Sequence, residues 1–118
     1  MAIVFNIFIF GSSPNLVAAD GKIVAKEIIV TTSNWADYVF KPNYKLTPLS
    51  ELELKIKELG HLPGIPSKEE VKQNGVSINE IQVKMLEKIE ELTLYMIELQ
   101  KENEKLQAKI NQIEGVIK

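Results

Sequence analysis

The sequence predicts an α+β chain with short N-terminal β-strands, a small helical collar and a long C-terminal α-helix that forms a parallel coiled coil. Three observations lead to this prediction. Apolar and β-branched runs occupy residues 1–33, helical patterns bounded by proline and glycine occupy residues 34–76, and a proline-free heptad repeat occupies residues 77–118. We therefore expect three regions in the 118-residue chain.

The first region has the composition of buried strands. Residues 1–10 are apolar except for Asn6, and residues 21–32 are rich in isoleucine and valine, which favour a pleated backbone. Residues 1–19 also allow a second interpretation as a secretory signal, because small residues that suit a cleavage site follow the apolar run. No lysine or arginine precedes that run, which favours the strand.

The collar combines an aromatic segment with two short helices. A helix over 48–59 is indicated by Thr47 as N-cap, Pro48 at the first helical position and Gly60 at the end. A capping box predicts a second helix over 68–73. The aromatic side chains could form a platform for a ligand, but core packing is the more common role. The predicted collar core is Trp35, Tyr38, Phe40, Leu49, Leu52, Ile56 and Leu59.

The last region carries a heptad register in which almost every core position is apolar. Positions d are Ile78, Met85, Leu92, Leu99, Leu106 and Ile113, and positions a are Gln82, Ile89, Met96, Asn103, Ile110 and Ile117. From Met85 to Ile117 the spacing alternates between four and three, which indicates a left-handed supercoil. Asn103 is the one polar residue at the a and d positions of that span, and a buried asparagine fixes the register of the helices at some loss of stability.

The heptads leave the number of chains open between two and three. Isoleucine at a with leucine at d favours parallel dimers, whereas Met85 and Met96 weaken that preference. A continuous helix of about 40 residues would be roughly 60 Å long. One small domain cannot cover such a length, so we expect copies of the same chain as partners.

Composition argues against most kinds of chemistry. The chain has no cysteine, His61 is its one histidine, and all 14 of its basic residues are lysines. Thiolate chemistry, a two-histidine metal site within one copy and bidentate arginine contacts are thereby excluded. With a net charge of −2 the chain also lacks the basic surface of a nucleic-acid binder, and no apolar run is long enough to span a membrane. We expect no catalytic residues, no metal and no cofactor.

Several separated motifs resemble the C-terminal module of bacterial tail-fibre-like surface proteins, which is related in label to the endosialidase-type intramolecular chaperone family. The similarity covers about residues 21–105. The motifs, in order, are N-W-A-D-Y-V-F at 34–40, Y-K-L at 44–46, H-L-P-G-I-P-S at 61–67, N-G at 74–75 and L-E-K-I-E-E-L-T-L-Y at 86–95. The resemblance implies a parallel homotrimer at the end of a β-rich fibre, located outside the cell, on a cell surface or on a virion.

The predicted function is a module for oligomerisation and folding registration that caps such a fibre. One alternative is an adhesin tip that binds a glycan or receptor through Trp35, Tyr38 or Tyr44. Another is a self-cleaving chaperone, since the wider family cuts itself at a serine beside an acid. Here Ser33 is separated from Asp37 and no arginine follows, so the chain departs from that motif.

Overall fold

Helices form all the regular structure in the part of the chain that the structure describes. The computed structural model describes residues 17–117, with a 3-10 helix at Asp37–Phe40, α1 at Leu49–Leu59, α2 at Lys68–Asn74 and α3 at Ile78–Ile117. These elements extend over 80 × 32 × 32 Å. The 40 residues of α3 account for most of the long dimension, since a helix of that length measures about 60 Å.

The prediction of an α+β chain is wrong, because residues 17–117 contain no strand. Residues 21–32, where a strand is predicted, have no regular structure, and Val24 is 94% exposed. Isoleucine and valine favour an extended backbone, but a strand also needs a neighbour for its hydrogen-bond ladder. The described residues provide no such neighbour. The other predicted strand, at residues 1–10, lies outside the described residues.

The first collar helix begins one residue later than predicted. Pro48 occupies the cap position with φ −57° and ψ 143°, and the amide of Leu52 donates to its carbonyl oxygen at 2.9 Å. Gly60 ends α1 in the left-handed conformation, with φ 75°, which glycine adopts without strain. The limits of α1 are thus well defined, although none of its side chains is buried.

Serine caps begin the other two helices. In α2 the Ser67 hydroxyl accepts from the amide of Glu70 at 3.2 Å, and the Glu70 carboxylate accepts from the amide of Ser67 at 3.5 Å. In α3 the Ser77 hydroxyl accepts from the amide of Glu80 at 3.3 Å. The predicted ranges are 68–73 for α2 and 77–118 for α3, so the limits of both helices agree with the prediction to within one residue. Lys118 lies outside the described residues.

The core lies between the 3-10 helix and α3. The buried apolar side chains of the described residues are Ala36, Val39 and Tyr95. Ala36 and Val39 lie three residues apart, so both fall on one face of a 3-10 helix. Trp35 and Phe40 fall on other faces and are 52% and 55% exposed.

The core of one chain is therefore not the predicted set of collar residues. Tyr38 and Leu52 are half-buried. The other predicted core residues are exposed in the single chain, namely Trp35, Phe40, Leu49, Ile56 and Leu59.

Candidate self-association surface

A short segment of the collar, residues 37–47, runs along α3, and we call it the strap. The Tyr38 hydroxyl donates to the Glu87 carboxylate, and the Tyr44 hydroxyl donates to the Glu91 carboxylate. Farther along, the Tyr95 hydroxyl donates to the carbonyl oxygen of Thr47 at 2.5 Å. The three positions on α3 are separated by four residues each and so lie on one face of the helix. The strap is therefore held to α3 at three successive turns.

Lysine and glutamate side chains support the strap. The Lys88 ammonium lies 3.2 Å from Glu91 Oε2 and 3.5 Å from Glu87 Oε1. The hydrogen bond to Glu87, followed by burial and by the charges of Glu87 and Glu91, raises the pKa of Tyr38 to about 12. Burial and the hydrogen bond to Glu91 raise the pKa of Tyr44 as well. Both phenols therefore remain protonated, and able to donate, to a higher pH than an ordinary tyrosine.

Glu90 is a buried acid in this otherwise well-satisfied contact. It is 7% exposed, and its Oε2 atom has no hydrogen-bond partner. Burial first, and then the charges of Asp37 and Glu87, raise the pKa of the Glu90 carboxyl. An ionised carboxylate in such a place opposes folding, because burial removes its hydration while Oε2 gains no compensating bond.

The heptad seam, which is the stripe of a and d positions on α3, is open along its length. Met96 is 70% exposed and Leu106 is 56% exposed. The exposed members of the seam are Ile78, Gln82, Met85, Ile89, Leu92, Met96, Leu99, Asn103, Leu106, Ile110 and Ile113, and the Ile117 side chain lies outside the description. Monomeric soluble proteins rarely expose an apolar patch of this length. The seam is therefore the candidate surface for self-association.

The collar and the seam occupy opposite sides of α3. The strap contacts Glu87 at position f and Glu91 at position c, and Glu90 at position b is buried. Positions b, c and f lie on the side of a heptad helix away from its partner. The chain thus packs its own collar against one side of α3 and leaves the other side free.

The acids on α3 that lie beneath the strap were missed by the sequence-based prediction. It selected the large aromatics of the collar and gave no role to Glu87, Glu90 or Glu91. Glu87 and Glu91 do have a recognisable spacing of four, which places both on one helix face. The sequence contains no comparable indication that two tyrosines at 38 and 44 would lie beside them.

The residues of the alternative functions are placed less favourably. The hydroxyls of Tyr38 and Tyr44 donate hydrogen bonds to α3. Of the three aromatics proposed for a glycan, Trp35 is therefore the one that remains exposed. Ser33 is exposed and lines a shallow groove with Lys84 and Glu87.

Two kinds of site were sought among the described residues. No helix within residues 17–117 is both long enough and apolar enough to cross a membrane. The same residues contain no group of three or more acidic or histidine side chains that could hold a metal ion, and His61 Nδ1 lies 3.0 Å from the Leu62 carbonyl oxygen. In comparisons with known proteins, the chain matches no family model, no curated protein and no solved structure.

Proposed function

We propose that this chain is an oligomerisation and folding-registration module in which copies associate through the α3 seam. One observation carries the proposal: the seam is exposed from Ile78 to Ile113, whereas the collar packs against the opposite side of the same helix. A seam left free in this way is available to sister helices. Burying it would remove a long apolar stripe from water, the main favourable contribution to association.

Polar residues in the seam favour a parallel arrangement in register. Gln82 and Asn103 both occupy position a and lie three heptads apart. When copies are parallel and aligned, each of these side chains faces its own counterpart and can form hydrogen bonds with it. A shift of one heptad would place Asn103 opposite Met96 or Ile110, leaving a buried amide unpaired.

We favour three chains over two because the resemblance of the motifs in residues 21–105 implies a trimer and because the e positions beside the seam are uncharged. The e positions that flank it carry no charge from Leu86 through Thr93 and Gln100 to Gln107. A helix with apolar or neutral flanks can face more than one neighbour, whereas a strict a and d stripe is typical of a two-stranded seam.

Alignment of the chains gives the module its effect on folding. Once the helices are in register, the segments that precede α3 are held at a high effective concentration relative to one another. Slow, non-local pairing among those segments then begins from aligned starting points. A position as the cap of a fibre-like surface protein is supported by the resemblance of the motifs in residues 21–105.

Chemical cross-linking tests the parallel arrangement, and the absence of native cysteine makes the experiment clean. Ile113→Cys places a thiol in the seam at position d, and Ala108→Cys places one at position f as the matched control. We expect rapid disulfide formation between chains for Ile113→Cys and little for Ala108→Cys. Equal rates for the two variants would contradict a parallel seam.

Immunogold labelling tests the position as a fibre cap. An antibody raised against the purified chain should label the ends of surface fibres on the cells or particles that produce it. Labelling confined to the cell interior would contradict this part of the proposal while leaving self-association intact.

A further inference from the structure

Two exposed apolar surfaces of the collar lie on opposite edges of the seam, and their placement suggests how they are covered. The seam of α3 is flanked by its e positions on one edge and by its g positions on the other. The 3-10 helix follows residues 32–34, which line a groove with Asn79 at position e, Val83 at position b, Lys84 at position c and Glu87 at position f. This helix therefore lies on the b and f side of α3, nearer the e edge than the g edge. It carries Phe40 and follows Trp35, and both of these side chains are more than half exposed.

α1 lies along the other edge. Thr47, just before α1, accepts the hydrogen bond from Tyr95 at position g. Leu59, the last residue of α1, lines one groove with Ile81, also at position g. α1 thus runs antiparallel to α3 beside the g edge, between Tyr95 and Ile81.

The apolar face of α1 lacks cover within one chain. Leu49, Leu52, Ile56 and Leu59 form this face at three- and four-residue steps, yet none of them is buried. An isolated helix of 11 residues is only marginally stable in water, so a helix of this length usually depends on packing. Trp35 and Phe40 are likewise left exposed by the packing within their own chain.

Parallel helices bring these two surfaces together. In a parallel coiled coil, the g edge of one helix faces the e edge of the next. We infer that α1 of one copy packs its apolar face against Trp35 and Phe40 of the neighbouring copy, so that the collar core forms between chains. The inference rests on the proposed parallel association through the seam.

A second copy fits this surface for two reasons. Each copy offers one aromatic surface and one α1 face, so that every surface finds a partner when such head-to-tail contacts close into a ring. The intervening e edge is also uncharged at Leu86 and Thr93, and Lys88 on the g edge is already paired with Glu87 and Glu91 of its own chain. The interface would therefore continue the seam outward.

Mixed single-cysteine variants test the contact. Chains carrying Phe40→Cys and chains carrying Ile56→Cys, each with its own affinity tag, are co-expressed and treated with a short bis-maleimide. Glu58→Cys, on the opposite face of α1, replaces Ile56→Cys in the matched control. We expect the doubly tagged covalent dimer to form about tenfold faster with Ile56→Cys than with Glu58→Cys, because the contact raises the effective concentration.

Trp35, the one tryptophan, provides a measurement without cysteines near the contact. Its emission should lie at shorter wavelength in the assembled protein than in the seam variant Leu106→Asp, whose substitution lies far along the stalk. Sedimentation of the same samples separates the two hypotheses. An assembled protein with equal cross-linking of both pairs and with exposed Trp35 would overturn this inference alone, whereas a monomeric wild-type chain would overturn the proposed function as well.

Discussion

The hydroxyl of Tyr95 donates a hydrogen bond to the carbonyl oxygen of Thr47 at 2.5 Å, joining the middle of α3 to the residue before Pro48. Tyr95 is 5% exposed, so most of its side chain, which carries the donor of this bond, is shielded from water. This contact joins the end of the strap, just before α1, to α3. It therefore couples the collar to the helix that carries the seam.

Removal of this hydroxyl should weaken the collar. We expect Tyr95→Phe to lower the free energy of unfolding by about 1–2 kcal/mol, because a shielded carbonyl loses its donor. Urea unfolding followed by circular dichroism, at one fixed protein concentration, measures the change. Lys105→Gln is the control, since it removes an exposed pair with Glu102 and should change the stability by less than about 0.5 kcal/mol. An equal loss in both variants would contradict a special role for Tyr95.

Neutralising Glu90 should stabilise the protein at neutral pH. Glu90→Gln removes the charge of a buried carboxyl whose Oε2 has no partner, and we expect the midpoint of thermal unfolding to rise by about 2–5 °C. Glu91→Gln makes the same chemical change one residue away but weakens the contacts with Tyr44 and Lys88, so its midpoint should fall. Opposite shifts support this account, and a decrease in both variants would contradict it.

The effect of Glu90 should depend on pH in one direction. Because its pKa in the folded state lies above the ordinary value, the folded state binds this proton more tightly than the unfolded state does. The contribution of Glu90 to stability is therefore complete below its ordinary pKa and is lost as the pH rises through the raised value. The advantage of Glu90→Gln should accordingly shrink as the pH is lowered, and a constant advantage at every pH would disagree with this assignment.

The strap should loosen at high pH. The Tyr38 hydroxyl has a pKa of about 12, above the ordinary 10.0, so its contribution to stability is present below pH 10 and is lost between the two values. Absorbance titration of the phenols, together with near-ultraviolet circular dichroism, follows ionisation and loss of packing. Tyr38→Phe should remove one high-pKa transition, and a wild-type chain whose tyrosines all titrate at the ordinary value would contradict the bond to Glu87.

Asn103 should lower the stability of the assembly while it fixes the alignment of the helices. We expect Asn103→Ile to raise the thermal midpoint, because an apolar side chain at position a packs better than an amide. The same change should also permit shifted or differently sized assemblies, which native mass spectrometry would detect. A variant that is less stable than the wild type would show that Asn103 has another role.

Helix limits could be read from the sequence because local interactions determine them. The serine caps at Ser67 and Ser77 and the left-handed Gly60 involve only neighbouring residues, and the resulting helices lie within about one residue of the predicted limits. At the start of α1, Pro48 rather than the predicted Thr47 occupies the cap position.

The strands and the collar core could not be predicted in the same way. Residues 21–32 have the composition of a strand, but composition does not supply the neighbour that a strand requires. Large aromatics are usual core residues, yet the 3-10 geometry buries Ala36 and Val39 and leaves Trp35 and Phe40 exposed. The wrong strand prediction and the exposure of these two aromatics within one chain both concern non-local packing, which a single sequence does not specify.

The mass of the assembled protein in solution tests the central claim most directly. Sedimentation equilibrium at micromolar concentration should give the wild-type chain about three times the 13.3 kDa mass of one copy. Leu106→Asp, which places a charge in the seam, should sediment as one copy, whereas Ala108→Asp at position f should assemble like the wild type. A wild-type chain that sediments at 13.3 kDa would contradict self-association through α3.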